Sequence, residues 1–199
     1  MAMPQICHTL KSFWENRWLT GQTGWDLGEP SPPIGAFFES QSELRNPNSI
    51  ILIPGCGNAH EADFLLKKGY SNITLIDISP KAVANQHARF GDRLTVLEGD
   101  FFEMSGLFDL IVEQTFFCAI DPSLRPKYVE KMAGLLRQGG RLVGLMFEAA
   151  FEGGPPFGGH RDEYRRLFEP FFEIKTMETC PNSILPRQGR ELWVELVRK

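Results

Sequence analysis

From residue 49 onward, short apolar runs alternate with stretches of helical periodicity. Runs rich in Ile, Leu and Val fall at 49–53, 73–76, 94–98, 110–113 and 141–147. Their continuous apolar, β-branched character predicts strands buried on both faces. Between them, 59–68, 80–90 and 125–136 carry the spacing of helices. Ser79 as N-cap and Pro80 at the first helical position mark the start of the second helix. Gly69 and the Gly139-Gly140 pair are natural stops after the first and third. Strand–helix alternation implies an α/β protein with a mostly parallel, doubly wound sheet. The pattern breaks at the end, where 171–179 and 191–198 both read as strands after a helix at 161–168. These two are expected to pair antiparallel and close one side of the sheet.

Residues 1–48 look different. An aromatic, partly helical piece at 13–18 precedes a glycine- and proline-rich loop at 21–33 and a second helical stretch at 34–40. Asn46-Pro47-Asn48 is a turn leading into the core. A chain of 199 residues favours one domain with a real core. The segment 1–48 is therefore expected to be a lid on the core formed by 49–199.

The chemistry centres on Pro54-Gly55-Cys56-Gly57 at the end of the first strand. Glycine lets the backbone turn sharply and a ligand approach closely. In an open α/β sheet that ligand sits beyond the carboxyl ends of the strands. Asp77 closes the second strand about twenty residues on, the spacing of an acid that grips ribose hydroxyls. Gly55, Gly57, Asp77 and the adjacent Ile78 are thus candidate cofactor contacts. A dinucleotide fingerprint needs glycine at position 60, where this chain has His60, so pyrophosphate binding is disfavoured. S-adenosylmethionine carries no phosphate and needs no third glycine. Asp100 and Phe101 follow the third strand, where an acid can bond the adenine amino group and an aromatic ring can cover the base. Gln114 ends the fourth strand, and Phe116, Phe117 and Cys118 follow where a methyl donor would present its reactive carbon. The phenylalanines read either as pocket wall or as core, with the wall reading stronger for Phe117.

Three of the four tryptophans, Trp14, Trp18 and Trp25, precede the first strand. They read partly as anchors for the N-terminal segment and partly as a lid, since aromatic faces attract a sulfonium cation and a lid excludes water. Gly153-Gly154-Pro155-Pro156-Phe157 is a rigid, aromatic-tipped loop expected to meet that lid from the other side, with Phe157 in the acceptor pocket. No nucleophile elbow, HExxH or Ser-His-Asp pattern is present, so no catalytic residue and no metal is expected. His60 and His87 have no obvious partner.

Net charge of −4 argues against binding bulk nucleic acid. Arg161, Arg165 and Arg166 are interspersed with Asp162, Glu163 and Glu169 and read as a solvated helix face. The four cysteines, Cys7, Cys56, Cys118 and Cys180, form no CxxC pair and suggest separate reduced thiols. No apolar run approaches the roughly 18 residues of a membrane span, and the start of the chain lacks a signal-peptide pattern. A cytoplasmic monomer acting on a small molecule, without nucleic-acid or membrane partners, is expected.

Taken together, the segments FWENRW and TGWDLG within 13–28, IPGCGNAHE at 53–61, LIDISPKAV at 75–83, FDLIVEQTFFCAIDPSLRP at 108–126 and GGPPF at 153–157 resemble the thiopurine S-methyltransferase superfamily. The likeness is closest to its halide/thiol methyltransferases and covers nearly the whole chain in order. It implies a class I methyltransferase, Rossmann-like fold with an N-terminal lid, and S-adenosylmethionine as cofactor. The contacts it implies are Trp14, Trp18, Trp25, Gly55, Asp77, Asp100, Phe101 and the exit of the fourth strand. At that exit related enzymes place Tyr or Arg after an acid, whereas this chain has Gln114 after Glu113, which argues against a thiopurine acceptor. The expected reaction is in-line methyl transfer to a small thiol, halide or pseudohalide. Alternatives are transfer to a thiopurine, a metalloid or another small molecule, an NAD(P) oxidoreductase disfavoured by His60, and a cofactor-binding sensor without turnover.

Overall fold

The computed structural model describes residues 5–40 and 46–199, with side chains from residue 11 onward. Two N-terminal helices, α1 (Gln5–Leu19) and α2 (Pro32–Ser40), precede the sheet. The core then runs β1 (Ile51–Pro54), α3 (His60–Lys67), β2 (Ile73–Asp77), α4 (Pro80–Phe90), β3 (Thr95–Glu98), β4 (Phe108–Gln114), α5 (Arg125–Leu135), β5 (Leu136–Phe147), α6 (Arg161–Phe168), β6 (Phe172–Thr179) and β7 (Glu191–Arg198). The strands form one seven-stranded sheet in the order β3-β2-β1-β4-β5-β7-β6. The first five pair in parallel, and β7 runs antiparallel to both β5 and β6.

Alternate residues along each strand feed two separate cores. Leu52, Ile111, Leu142 and Met146 face α5 and α6, where Tyr128, Met132, Tyr164 and Phe168 are buried. Ile51, Ile53, Leu110, Val112 and Val143 face α2, α3 and α4 through Phe37, Phe38, Leu65, Val83 and Phe90. Burial on both faces explains why these strands read as unbroken apolar runs. The strand order reverses between β1 and β4, which opens the crevice where such sheets take ligands.

Most predicted elements stand within a residue or two of their expected ends. The strand after the third helix is an exception, since it begins at Leu136 rather than at 141. The helix itself ends at Leu135, one residue short of the expected end, because Leu136 turns extended, at φ −91° and ψ 144°. Gly139 and Gly140 lie inside β5, where the pairing with β4 shifts between Phe108 and Leu110. The two glycines thus serve a bulge rather than a helix stop. Cys56, Cys118 and Cys180 are buried free thiols; the side chain of Cys7 lies outside the described residues. Among the described residues no helix is long and apolar enough to cross a membrane, and no cluster of His, Cys, Asp or Glu is arranged to hold a metal.

Candidate active site

A cavity of about 590 Å³ lies over the carboxyl ends of β1, β2, β4 and β5. Its floor is the turn after β1. Gly55 and Gly57 both adopt left-handed backbone, at φ 55° and 51°, which a side chain would strain. The Gly57 amide donates to Asp77 Oδ2 at 3.0 Å, and the Ser79 amide donates to Oδ1 at 2.9 Å. The Gly57 carbonyl accepts from Gln86 Nε2 at 2.7 Å. The peptide between glycine turn and acid is therefore held from both sides. Burial raises the Asp77 carboxyl above its ordinary range, against the lowering effect of the Ser79, Gly57 and Ile78 amides. A carboxylate offers about four lone-pair positions, so these amides leave accepting capacity on a group that lines the cavity.

Asp100 caps the short helical turn Phe101–Glu103 by accepting the Phe102 amide at 2.9 Å. Phe101 meets Phe102 and Phe116 edge-on, with centroids 5.5 and 5.3 Å apart. All four line the cavity with Ile76, Ile78 and Gln114. This end of the cavity is mostly aromatic, with the Asp100 carboxylate beside it.

The N-terminal segment closes the other side. On α1, Glu15 accepts Ser79 Oγ at 2.6 Å and the Lys81 amide at 3.0 Å, and Lys11 pairs with Glu98 at 2.6 Å. Trp25 stands edge-on to Trp14 and Trp18 at 5.3 and 5.8 Å. All three indoles line the cavity, and Trp25 Nε1 lies 3.7 Å from where a Cβ on Gly57 would be. Of the tryptophans predicted as lid residues, Trp18 and Trp25 therefore sit against the glycine turn, and Trp14 packs on Trp25.

Two predicted pocket residues are placed elsewhere. Phe117 is fully buried in the core beneath the sheet, between Tyr128 and Tyr164, with Arg125 stacked 4.8 Å from its ring. The reason is the tight turn after β4. Thr115 adopts φ 60°, and the Phe117 amide turns back to donate to Glu113 Oε1 at 3.1 Å. That turn sends Phe116, read as core, into the cavity wall instead. Phe157 lines a smaller neighbouring cavity with Pro122, Gly153 and Glu163. Its amide donates to the Cys118 carbonyl at 2.6 Å. From the same loop, Pro155 and Pro156 face the main cavity, joined there by Phe147 and Phe151.

Several lining residues were not anticipated. His60, read as lacking a partner, has Nε2 2.7 Å from Asp26 Oδ1 in the WDLG segment. The bond spans 34 residues, so no local spacing reveals it. Arg187 and Arg190, just before β7, also line the cavity. Arg187 donates to Glu191 Oε1 and the Trp25 carbonyl at 3.1 and 2.9 Å and lies over Phe147. Arg190 lies 4.9 Å over Phe151. The two cations in LPRQGR were the visible signal.

The family model for thiopurine S-methyltransferase (TPMT) matches residues 9–198. The chain belongs to the thiopurine S-methyltransferase family. It is 35% identical to the probable thiol methyltransferase 2 of Arabidopsis thaliana, over 89% of this chain and 81% of that protein. It is 32% identical to the thiocyanate methyltransferase 1 of Brassica oleracea, over the same shares. Among solved structures, the Burkholderia thailandensis 1,6-didemethyltoxoflavin-N1-methyltransferase with bound S-adenosylhomocysteine superposes with a TM-score of 0.76 at 19% identity, covering 100% of this chain and 92% of that one. The Synechocystis magnesium protoporphyrin IX methyltransferase with bound S-adenosylmethionine gives 0.73 at 15% identity, with 100% of each chain covered. The fold is that of a class I S-adenosylmethionine-dependent methyltransferase, and this TPMT-family chain is such an enzyme. The residues present suit that cofactor. The glycine turn has no side chain to exclude it, Asp77 offers a diol acceptor, the phenylalanines offer aromatic surface for a purine, and three indoles line the same cavity with rings that would attract a cation.

Proposed function

We propose that this enzyme moves a methyl group from S-adenosylmethionine to a small thiol, halide or pseudohalide. Asp77 would hold the ribose, Asp100 and Phe101 the adenine, Gly55, Gly57 and Gln114 the backbone-facing edge, and the three tryptophans the sulfonium side. When bound, the cofactor supplies an activated methyl on a positively charged sulfur.

The observation that carries the reading is the wall of the cavity beyond β4 and β5. Phe147, Phe151, Pro155, Pro156 and Pro186 make it apolar, and Lys127, Arg187 and Arg190 are cations lining the cavity around them. Such a wall favours a small anion stripped of water. In-line attack forms the bond from nucleophile to methyl carbon as the carbon–sulfur bond breaks. An anionic nucleophile then yields a neutral methylated product and a neutral thioether, and a thiol loses its proton to solvent on the way. Opposite charges cancel in the transition state, so alignment and desolvation supply the acceleration and no general base is obligatory. The relatives named for thiol and thiocyanate methylation are consistent with that acceptor class.

The test is a panel. Purified protein with labelled S-adenosylmethionine is offered hydrosulfide, a small thiol, thiocyanate and iodide, beside a thiopurine and a metalloid oxyanion. Faster methylation of the first four is expected. Preference for the thiopurine or metalloid would reassign the acceptor, and tight S-adenosylhomocysteine binding without any turnover would favour a sensor.

A further inference from the structure

The strap from Trp25 to Ser31 is bonded at three points to residues 58–61, which lead into and open α3. Asp26 Oδ2 accepts from Asn58 Nδ2 at 2.6 Å, and Asp26 Oδ1 meets His60 Nε2 at 2.7 Å. The Ser31 amide donates to the buried Glu61 carboxylate at 3.0 Å. Asp26 also accepts the Gly28 amide at 3.1 Å, which folds the strap back on itself. Burial works against the ionised form of Asp26, but the Gly28, His60 and Asn58 bonds outweigh it and hold its carboxyl below the usual range.

The same short stretch that grips the strap also forms the cofactor turn. Asn58 follows Gly57, whose amide fixes Asp77. Ala59, between the two donors, holds φ 50°. That conformation is uncommon for a residue with a Cβ and marks a local constraint. It brings the side chains of Asn58 and His60 to one carboxylate. On the strap side, Asp26 directly follows Trp25, whose indole reaches toward Gly57 and whose carbonyl is taken by Arg187 at 2.9 Å.

We propose that His60 and Asn58, acting through Asp26, are positioning residues that seat Trp25 over the cofactor turn and so couple lid closure to cofactor binding. The proposal rests on the reading of the cavity as the S-adenosylmethionine site. Removing a hydrogen bond to a charged group typically costs enough to change an equilibrium about ten-fold or more. His60→Leu should therefore weaken S-adenosylhomocysteine binding, measured by calorimetry, about ten-fold. It should also blunt the change in tryptophan emission on saturation with the product. His60→Gln keeps a donor near the Nε2 position and should bring affinity back to within about three-fold of the unaltered protein. Asp26→Asn removes the acceptor's charge and should behave like His60→Leu, which keeps the test open if the leucine variant fails to fold.

A merely structural bond would lower the thermal midpoint of the cofactor-free protein while leaving the affinity of the folded fraction unchanged, and that result overturns the proposal. So does equal loss in His60→Leu and His60→Gln, which would assign the effect to the imidazole itself. Asp77→Ala is run alongside. If it weakens product binding while His60→Leu and Asp26→Asn do not, the coupling alone is wrong. If it has no effect either, the cavity has been misread and the proposal falls with it.

Discussion

Gly55 and Phe116 are packed so closely that a Cβ on the glycine would stand 2.3 Å from the phenylalanine ring. Phe116 cannot retreat freely, because Phe101 and Tyr128 flank it with centroids 5.3 and 6.0 Å away. The glycine also holds φ 55°, which an alanine adopts only with strain. Gly55→Ala should therefore lower stability by about 1–3 kcal/mol and reduce S-adenosylhomocysteine affinity more than ten-fold. Adding Phe116→Leu should recover part of the stability. Thermal denaturation and calorimetry of the single and double variants check this, and a fully neutral Gly55→Ala would contradict the packing argument.

Asp77 connects the glycine turn to the far end of β2 through a single carboxylate. Asp77→Ala removes the proposed acceptor for the ribose and leaves the Gly57 and Ser79 amides without their partner. The expected loss in cofactor affinity is about 1.5–3 kcal/mol. Asp77→Asn keeps one oxygen acceptor and should lose less. Product titration of both variants distinguishes them, and equal affinity in all three proteins would show that the ribose lies elsewhere.

Much of this architecture was legible because buried parallel strands write themselves as apolar runs, and because Ser79-Pro80 and the glycine turn are local signals. The strands after α6 are antiparallel and only partly buried, and they were found from their alternating apolar and polar residues instead. What escaped depends on where side chains point after a turn. Phe116 and Phe117 are neighbours of one type, and only the left-handed backbone at Thr115 decides which faces the cavity. The tie between His60 and Asp26, and the bond from Arg187 to the Trp25 carbonyl, join segments far apart in the chain. Periodicity records faces of elements, and it carries no register between a lid and a core.

Glu113 should make stability depend on pH. It is fully buried, accepts the Phe117 amide at 3.1 Å, and receives the Tyr128 hydroxyl. Burial pushes its carboxyl from 4.5 up to about 7, with the Tyr128 and Phe117 bonds opposing. Between those values the folded state holds a proton that the unfolded state has released. This group therefore makes the protein less stable as pH rises through that window. Glu113→Gln presents a neutral amide of the same shape, with a carbonyl to accept the Phe117 amide and an amide NH2 to donate to the Tyr128 oxygen. Its stability relative to the unaltered protein should rise by about 1–3 kcal/mol between pH 5 and pH 8. Denaturant unfolding across that range checks the sign, and parallel pH curves would mean Glu113 ionises as freely folded as unfolded.

Arg190 offers the cleanest probe of acceptor charge. Arg187 also holds Trp25 and pairs with Glu191, so its loss would disturb the lid as well as the cavity. Arg190, by contrast, touches the cavity through its stack on Phe151. A cation near solvent attracts an anion modestly and is screened by salt. Arg190→Ala should raise KM for thiocyanate about two- to five-fold at low ionic strength, with KM for S-adenosylmethionine little changed. The difference should shrink as salt is added, because screening already weakens the attraction in the unaltered protein. Arg190→Lys keeps the charge and should stay close to the starting KM. A rise in KM that ignores salt, or one shared by the lysine variant, would place the effect in the stack on Phe151 rather than in the charge.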